Sequence, residues 1–242
     1  MGESLTIGGV HVEVVKKAIK NLHLTVHPPQ GRVHIVAPER MQLDTIRLYA
    51  ISKLPWLRRQ IAELQAQARE SRREYVNRES HFVWGSRYLL KVVEREAPPS
   101  VELHKRELVL AARPGASQAQ RYEIFAAWHR AQVRAAVAPL LAKWQRILKV
   151  EARAVFVRQM KTKWGSCNPK KATIRFNTDL AKKPLACLEY VLVHELAHLR
   201  EPTHSDRFRA ILNHHLPNWP HLRNQLNRAP LAHQGDNHER HI

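Results

Sequence analysis

The chain has 242 residues, 44% of them hydrophobic, enough for one large domain or two small ones with a proper core. No apolar run approaches the roughly eighteen residues that would span a membrane, and Met1-Gly2-Glu3-Ser4 does not begin a secretory signal. Two cysteines, Cys167 and Cys187, exclude a disulfide framework, and 40 Lys and Arg against 21 Asp and Glu give a formal charge of +19. A reducing cytoplasm is the expected location. The charge attracts polyanions, and without any RNP, zinc-finger or basic-zipper pattern it predicts loose, salt-sensitive adhesion to nucleic acid. A solvated basic surface is the plain alternative.

In chain order, Val10, Val12 and Val14 alternate with His11 and Glu13 as in a strand. Leu22–Val26 and Arg32–Val36 flank the turn-forming Pro28-Pro29-Gln30-Gly31, which predicts a hairpin. Ile46, Ile51, Leu54, Leu57, Ile61 and Leu64 recur at helical spacing from Leu43 to about Ala68, with Pro55 as a kink. Strands return over His81–Val93, interrupted at Gly85-Ser86, and over Val101–Ala111. A long helix is predicted from Gln118 to Lys149, followed by a strand at Ala154–Val157. The segment Met160–Lys171 reads as a loop, and Thr173–Asn177 as a strand. A helix follows from Leu185 to about Arg200, bracketed by Pro184 and Pro202, and a shorter one from Ser205 to about His215. The polar tail 229–242 is expected to be disordered. No internal repeat, low-complexity tract or Gly-rich phosphate loop is visible.

The segment His194-Glu195-Leu196-Ala197-His198 carries the chemistry. Positions four apart share one helix face, so His194 and His198 present two imidazoles to a common point, as a zinc ion bound at about 2.0–2.1 Å requires. Glu195 sits beside that face, where it takes a proton from a zinc-bound water and hands it to the leaving amine. HExxH on a helix is a known zinc-peptidase signature. His23 and His27 have the same spacing but fall in a strand and are incidental. Pro202 stops the helix, and the chain turns back to deliver His204 as third ligand, with Glu201 and His214 as competing candidates. The two-His-plus-one spacing matches the metzincin pattern, but Glu201 stands where that pattern wants glycine, so that family is not assigned. Three imidazoles leave one coordination position open, the mark of a catalytic rather than a structural zinc.

The run Tyr190-Val191-Leu192-Val193-His194-Glu195-Leu196-Ala197-His198, followed by His204 and Phe208, resembles the YgjP-like zinc metallopeptidases, relatives of the SprT-like and WLM peptidases. The block Met160-Lys161-Thr162-Lys163-Trp164-Gly165-Ser166-Cys167, led by Arg158, matches a motif of that family, as does Ile174-Arg175-Phe176-Asn177. The likeness extends loosely from Val10 to Leu226. It implies an α+β fold: a minimal zincin-like catalytic domain over 116–228, with long helices and a small sheet, preceded by a smaller β-rich region with one helix over 1–115. It also implies one zinc per chain held by His194, His198 and His204, with Glu195 as general base. The SprT-like and WLM relatives include proteases of DNA-bound proteins, so association with nucleic acid is a further expectation.

Lys161, Lys163, Trp164 and Ser166 are candidates to line the cleft, Ser166 by steadying the tetrahedral intermediate. The structural alternative is a tight turn at Gly165 with Trp164 and Cys167 packed inside, and a zinc-capping role for Cys167 is disfavoured. Strand Thr173–Asn177, with Ile174 and Phe176, is a candidate edge for an extended peptide substrate. The leading function is hydrolysis of peptide bonds in a protein or peptide substrate, without a membrane partner. The alternative is a basic nucleic-acid-binding protein whose zinc site is structural or vestigial.

Overall fold

The computed structural model describes residues 3–27, 31–66, 73–160 and 163–228; the Pro28-Pro29-Gln30 turn and the tail 229–242 lie outside them. The fold is α+β, as expected, and the chain forms two compact units, Met1–Ser71 and Arg72–Arg228. The second begins well before residue 116, because the strands after residue 79 share a hydrophobic core with the long helix.

The first unit holds β1 (Glu3–Ile7), β2 (Val10–Lys17), β3 (His23–His27), β4 (Arg32–Pro38), α1 (Leu43–Ser52) and α2 (Leu54–Ala66). Val12, Val14, Val33 and Ile35 bury one sheet face against Ile46, Ala50 and Leu57 of the helices. One kinked helix was expected, and two are found. Pro55 has no N–H for the carbonyl four residues back, so the helix ends at Lys53 and restarts at Leu54.

The second unit holds β5 (Ser80–Val83), β6 (Ser86–Glu94), β7 (Ser100–His104), β8 (Glu107–Ala112), α3 (Gln118–Leu148), β9 (Ala154–Arg158), β10 (Gly165–Asn168), β11 (Thr173–Asn177), a 3₁₀ helix (Thr178–Lys182), α4 (Leu185–Ala197), α5 (Asp206–His215) and α6 (Trp219–Arg228). The single strand expected over Val101–Ala111 is a hairpin, turned at Lys105 with φ +33°. The expected loop 160–171 contains β10, and α6 was not foreseen.

A repeat invisible in the sequence appears in the topology. The order β1-β2-β4-β3 has antiparallel outer pairs around the parallel pair β2–β4, and β5-β6-β8-β7 has the same arrangement around β6–β8. Each sheet is followed by a helix that covers its buried face. The first hairpin turns match too: Gly8 and Gly9 have φ +54° and +82°, Trp84 and Gly85 have +48° and +81°. Positive φ at both central residues is the I′ turn that suits strand twist.

Helix α3 ties the second unit together. A capping box starts it, with Ser117 Oγ accepting from Gln120 N–H and Gln120 Oε1 accepting from Ser117 N–H. At 31 residues it is about 46 Å long. Its first turns bury Phe125 against β5–β8, while Val133, Val137, Trp144 and Leu148 reach the core around α4. There Glu189 of α4 accepts from Lys143 Nζ at 2.8 Å and Trp144 Nε1 at 2.7 Å, fixing one helix against the other.

Candidate metal centre

Helix α4 is buried on nearly every side, with Leu188, Val191, Leu192, Val193, Leu196 and Ala197 in the core, so it is a rigid mount. It ends at Ala197, and His198 is its C-cap. The chain then tightens, with N–H groups of Leu199, Arg200 and Glu201 bonded to Leu196 and Ala197 carbonyls, and Pro202 prevents continuation. Helix α5 restarts at its N-cap Ser205, whose Oγ accepts from Phe208 N–H. His204 stands immediately before that cap, swung back over α4.

The three Nε2 atoms converge: His198 and His204 lie 3.2 Å and 3.1 Å from His194, and the ligand atoms of all three lie within 4.8 Å of one another. Tetrahedral zinc with nitrogen ligands at about 2.0–2.1 Å needs them about 3.3 Å apart. The donor set fits the ion. Buried Phe208 forms the floor, its ring centroid 4.9, 4.6 and 4.8 Å from those of His194, His198 and His204.

The protonation states suit ligation. Burial pushes the His194 pKa down to about 3, helped by His198, His204 and Arg223, and burial also lowers His198. Both rings are neutral at pH 7. The Nδ1 of His198 lies 3.2 Å from the Glu201 carbonyl, which only accepts, so Nδ1 carries the proton and Nε2 keeps its lone pair. Glu201 thus contributes through its main chain, while its carboxylate accepts from Thr203 Oγ1. His214 pairs with His215 on α5 instead of joining the cluster.

Glu195, one residue after the first histidine, is buried, and desolvation raises its pKa to about 7 against the opposing pull of Lys163. Beside it runs β10. A Cβ on Gly165 would lie 2.6 Å from Glu195 Oε1 and 2.7 Å from Val191 Cγ1. Only glycine allows the strand this close, and the reason is space, since Gly165 is absent from the positive-φ residues. The expected turn at Gly165 is therefore a strand pressed on the helix.

The block around Gly165 divides by strand alternation. Gly165 and Cys167 oppose Phe176 and Ile174 and face α4, whereas Ser166 opposes Arg175 on the other face. Ser166 does not line the Glu195 side, contrary to expectation. Ile174 and Phe176 are fully buried in the core, so neither side chain meets a substrate. Their strand is central, bonded to β10 and β9, and the edge beside α4 is β10. Lys163 is exposed near Glu195, Trp164 is half-buried under the Lys183 ammonium at 5.6 Å, and Lys161 lies outside the described residues. Burial, with the nearby Glu195 charge, pushes the Cys167 thiol up to about 11, so it stays protonated.

Sequence reasoning missed the supports. Asn177 donates through Nδ2 to the carbonyls of Met160 and Lys163 and accepts at Oδ1 from Met160 and Asp179 N–H groups, holding both ends of the chain that leads into β10. Tyr190, one turn before His194, meets that ring edge-on at 5.8 Å and stacks on Trp219 of α6. Both residues stand in runs that carry the family resemblance, but only the Tyr-to-His spacing of four pointed to a role, and nothing local gave Asn177 its bonding partners.

A buried helix presenting two histidines and a carboxylate, with a third histidine returned by the next turn, defines a metallopeptidase. The chain belongs to the YgjP-like family: the model of the YgjP-like metallopeptidase domain matches residues 20–229. Among solved structures it is similar to the metallopeptidase zymogen abylysin of Pyrococcus abyssi, at 25% identity over 37% of this chain and 90% of that one, with a TM-score of 0.35. The zymogen jannalysin of Methanocaldococcus jannaschii is similar at 20% identity over 36% and 90%, with a TM-score of 0.33. No curated protein matches.

Proposed function

We infer that this protein is a zinc-dependent peptidase whose catalytic region is the unit Arg72–Arg228, with Met1–Ser71 as an accessory unit. The observation that carries the reading is the convergence of three Nε2 atoms, those of His198 and His204 at 3.2 and 3.1 Å from that of His194, beside the buried Glu195. His194, His198 and His204 would hold one zinc per chain. The ion, when bound, supplies Lewis acidity and lowers the pKa of water to about 7. Glu195 then does the proton work. Its pKa near 7 leaves it able to take a proton from the attacking water and return it to the leaving amine. Gly165 keeps the carboxylate in place, and the β10 edge runs alongside, so a peptide there is held largely through its main chain. Lys163 stands close enough to help orient it.

Three imidazoles with a carboxylate neighbour make an open donor set, which favours catalysis over a structural or vestigial zinc. The test is Glu195→Gln assayed on casein alongside zinc analysis. Turnover should fall about a thousandfold with about one zinc per chain retained. Turnover within threefold of the parent would remove the mechanism, and zinc unchanged in His194→Ala would remove the ligand set.

A further inference from the structure

We propose that the outer face of the sheet β9–β11–β10 binds single-stranded nucleic acid, a property independent of the peptidase reading. The inner face, carrying Val155, Val157, Ile174, Phe176 and Gly165, packs toward α4. Strand alternation turns Phe156 and Arg158 of β9, Arg175 of β11 and Ser166 of β10 the other way. The register places Phe156, Arg175 and Ser166 in one row across the three strands.

Phe156, halfway along the edge strand β9, is 43% exposed on that face, a large aromatic left where burial would be ordinary. Its surroundings are cationic. Arg158 follows it, Arg175 neighbours it, and the bond from Arg153 N–H to the Ala172 carbonyl brings exposed Arg153 beside Lys171 at the end of the sheet. Strands β9, β10 and β11 contain no Asp or Glu, and between Lys143 and Arg175 ten Lys and Arg stand against one acid, Glu151.

Cations alone would suit any polyanion. An exposed ring at the sheet's edge adds a stacking platform, which suits unpaired bases and offers nothing to an acidic polypeptide or to the closed stack of a duplex. Stacking tolerates any base, so the binding is sequence-tolerant. DNA and RNA share this chemistry, since no contact here reads the 2′-hydroxyl.

Fluorescence anisotropy of the full chain with labelled 15-mers of deoxythymidine and uridine tests the assignment. Four cationic contacts predict a slope of about −3 for log affinity against log salt. Phe156→Ala and Phe156→Leu should each weaken binding about tenfold, the leucine variant keeping the apolar bulk and losing only the ring. Arg158→Glu with Arg175→Glu should weaken it more and flatten the slope, with zinc content and casein turnover unchanged. Arg47→Glu with Arg59→Glu in the first unit, the same change in charge, should leave it within twofold. The proposal is overturned if neither oligonucleotide binds, if the first-unit pair weakens binding as much as the sheet pair, or if Phe156→Leu binds like the parent. Equal competition by polyglutamate or duplex DNA would likewise overturn it.

Discussion

The two four-stranded sheets share one plan and differ in what their first turn touches. In the first unit the turn Gly8–Gly9 closes on its own helix, where Arg58 donates to the Gly8 carbonyl at 2.8 Å. In the second, Trp84 N–H donates to the Ala181 carbonyl at 2.7 Å, and Gly85 lies against Pro184, the N-cap of the helix that carries His194 and Glu195. A tryptophan at φ +48° costs roughly 1–2 kcal/mol, and the hydrogen bond and the packing of its ring offset that cost. One supersecondary plan thus closes on its own helix in one place and braces the helix carrying His194 and Glu195 in the other. The helix after the second sheet is the extension that makes the difference: α3 continues past its own sheet to clamp α4.

Among changes that leave His194, Glu195, His198 and His204 untouched, the largest effect is expected where the second unit has what the first lacks, at β10. Gly165→Ala drives a methyl group into Glu195 and Val191, and a displacement of that carboxylate should lower turnover about a hundredfold while zinc is retained. A variant with normal turnover would show that β10 does not set the carboxylate. Next comes Gly85→Ala, which combines a strained φ of +81° with a Cβ 2.8 Å from Pro184 Cγ. Urea melts should show a loss of about 2–3 kcal/mol, accompanied by a several-fold fall in kcat/KM.

The third test uses acid. His81 and His129 are the buried histidines among the described residues, and both lie in the second unit. Burial, then Lys182 and His81, hold the His129 pKa well below its ordinary 6.5. Below pH 6.5 the unfolded chain takes a proton that folded His129 refuses. Its contribution is therefore intact above pH 6.5 and declines as pH falls, by up to about 1.4 kcal/mol per pH unit. Urea melts at pH 7.5 and 5.5 should show a smaller acid loss in His129→Leu; equal losses would remove His129 as the cause. The smallest effect belongs to Gly9→Ala. Its φ of +82° matches that of Gly85, but nothing lies within 4 Å of the added methyl. A cost of about 1 kcal/mol with unchanged kcat/KM would show that contact, and not turn geometry, separates the two sheets.

The parts of the site set by neighbours in sequence were legible. Two histidines four apart on an apolar helix, a proline stop and a returning histidine need no tertiary information, and the place of His204 in the cluster follows once the turn is drawn. Strand β10 was hidden because four residues with a glycine and no alternating apolar pattern become a strand only by pairing with β11. Ile174 and Phe176 were misassigned although their alternation already marked a core face. The repeat escaped notice because it survives in pairing order and turn geometry, with Gly8 replaced by Trp84 and one helix more than doubled in length. Asn177 illustrates the general limit, since three of its four side-chain bonds reach Met160 and Lys163, 17 and 14 residues away.

That asparagine has a consequence for how the protein ages. Deamidation would exchange its amide nitrogen for an oxygen of nearly the same size, leaving the outline of the side chain intact. The carbonyls of Met160 and Lys163 would then face a repelling acceptor instead of two donors. A lesion of one mass unit, silent to shape, would release the approach to β10 and with it the neighbour that confines Glu195. The three histidines, whose contacts do not involve Asn177, would stay in place.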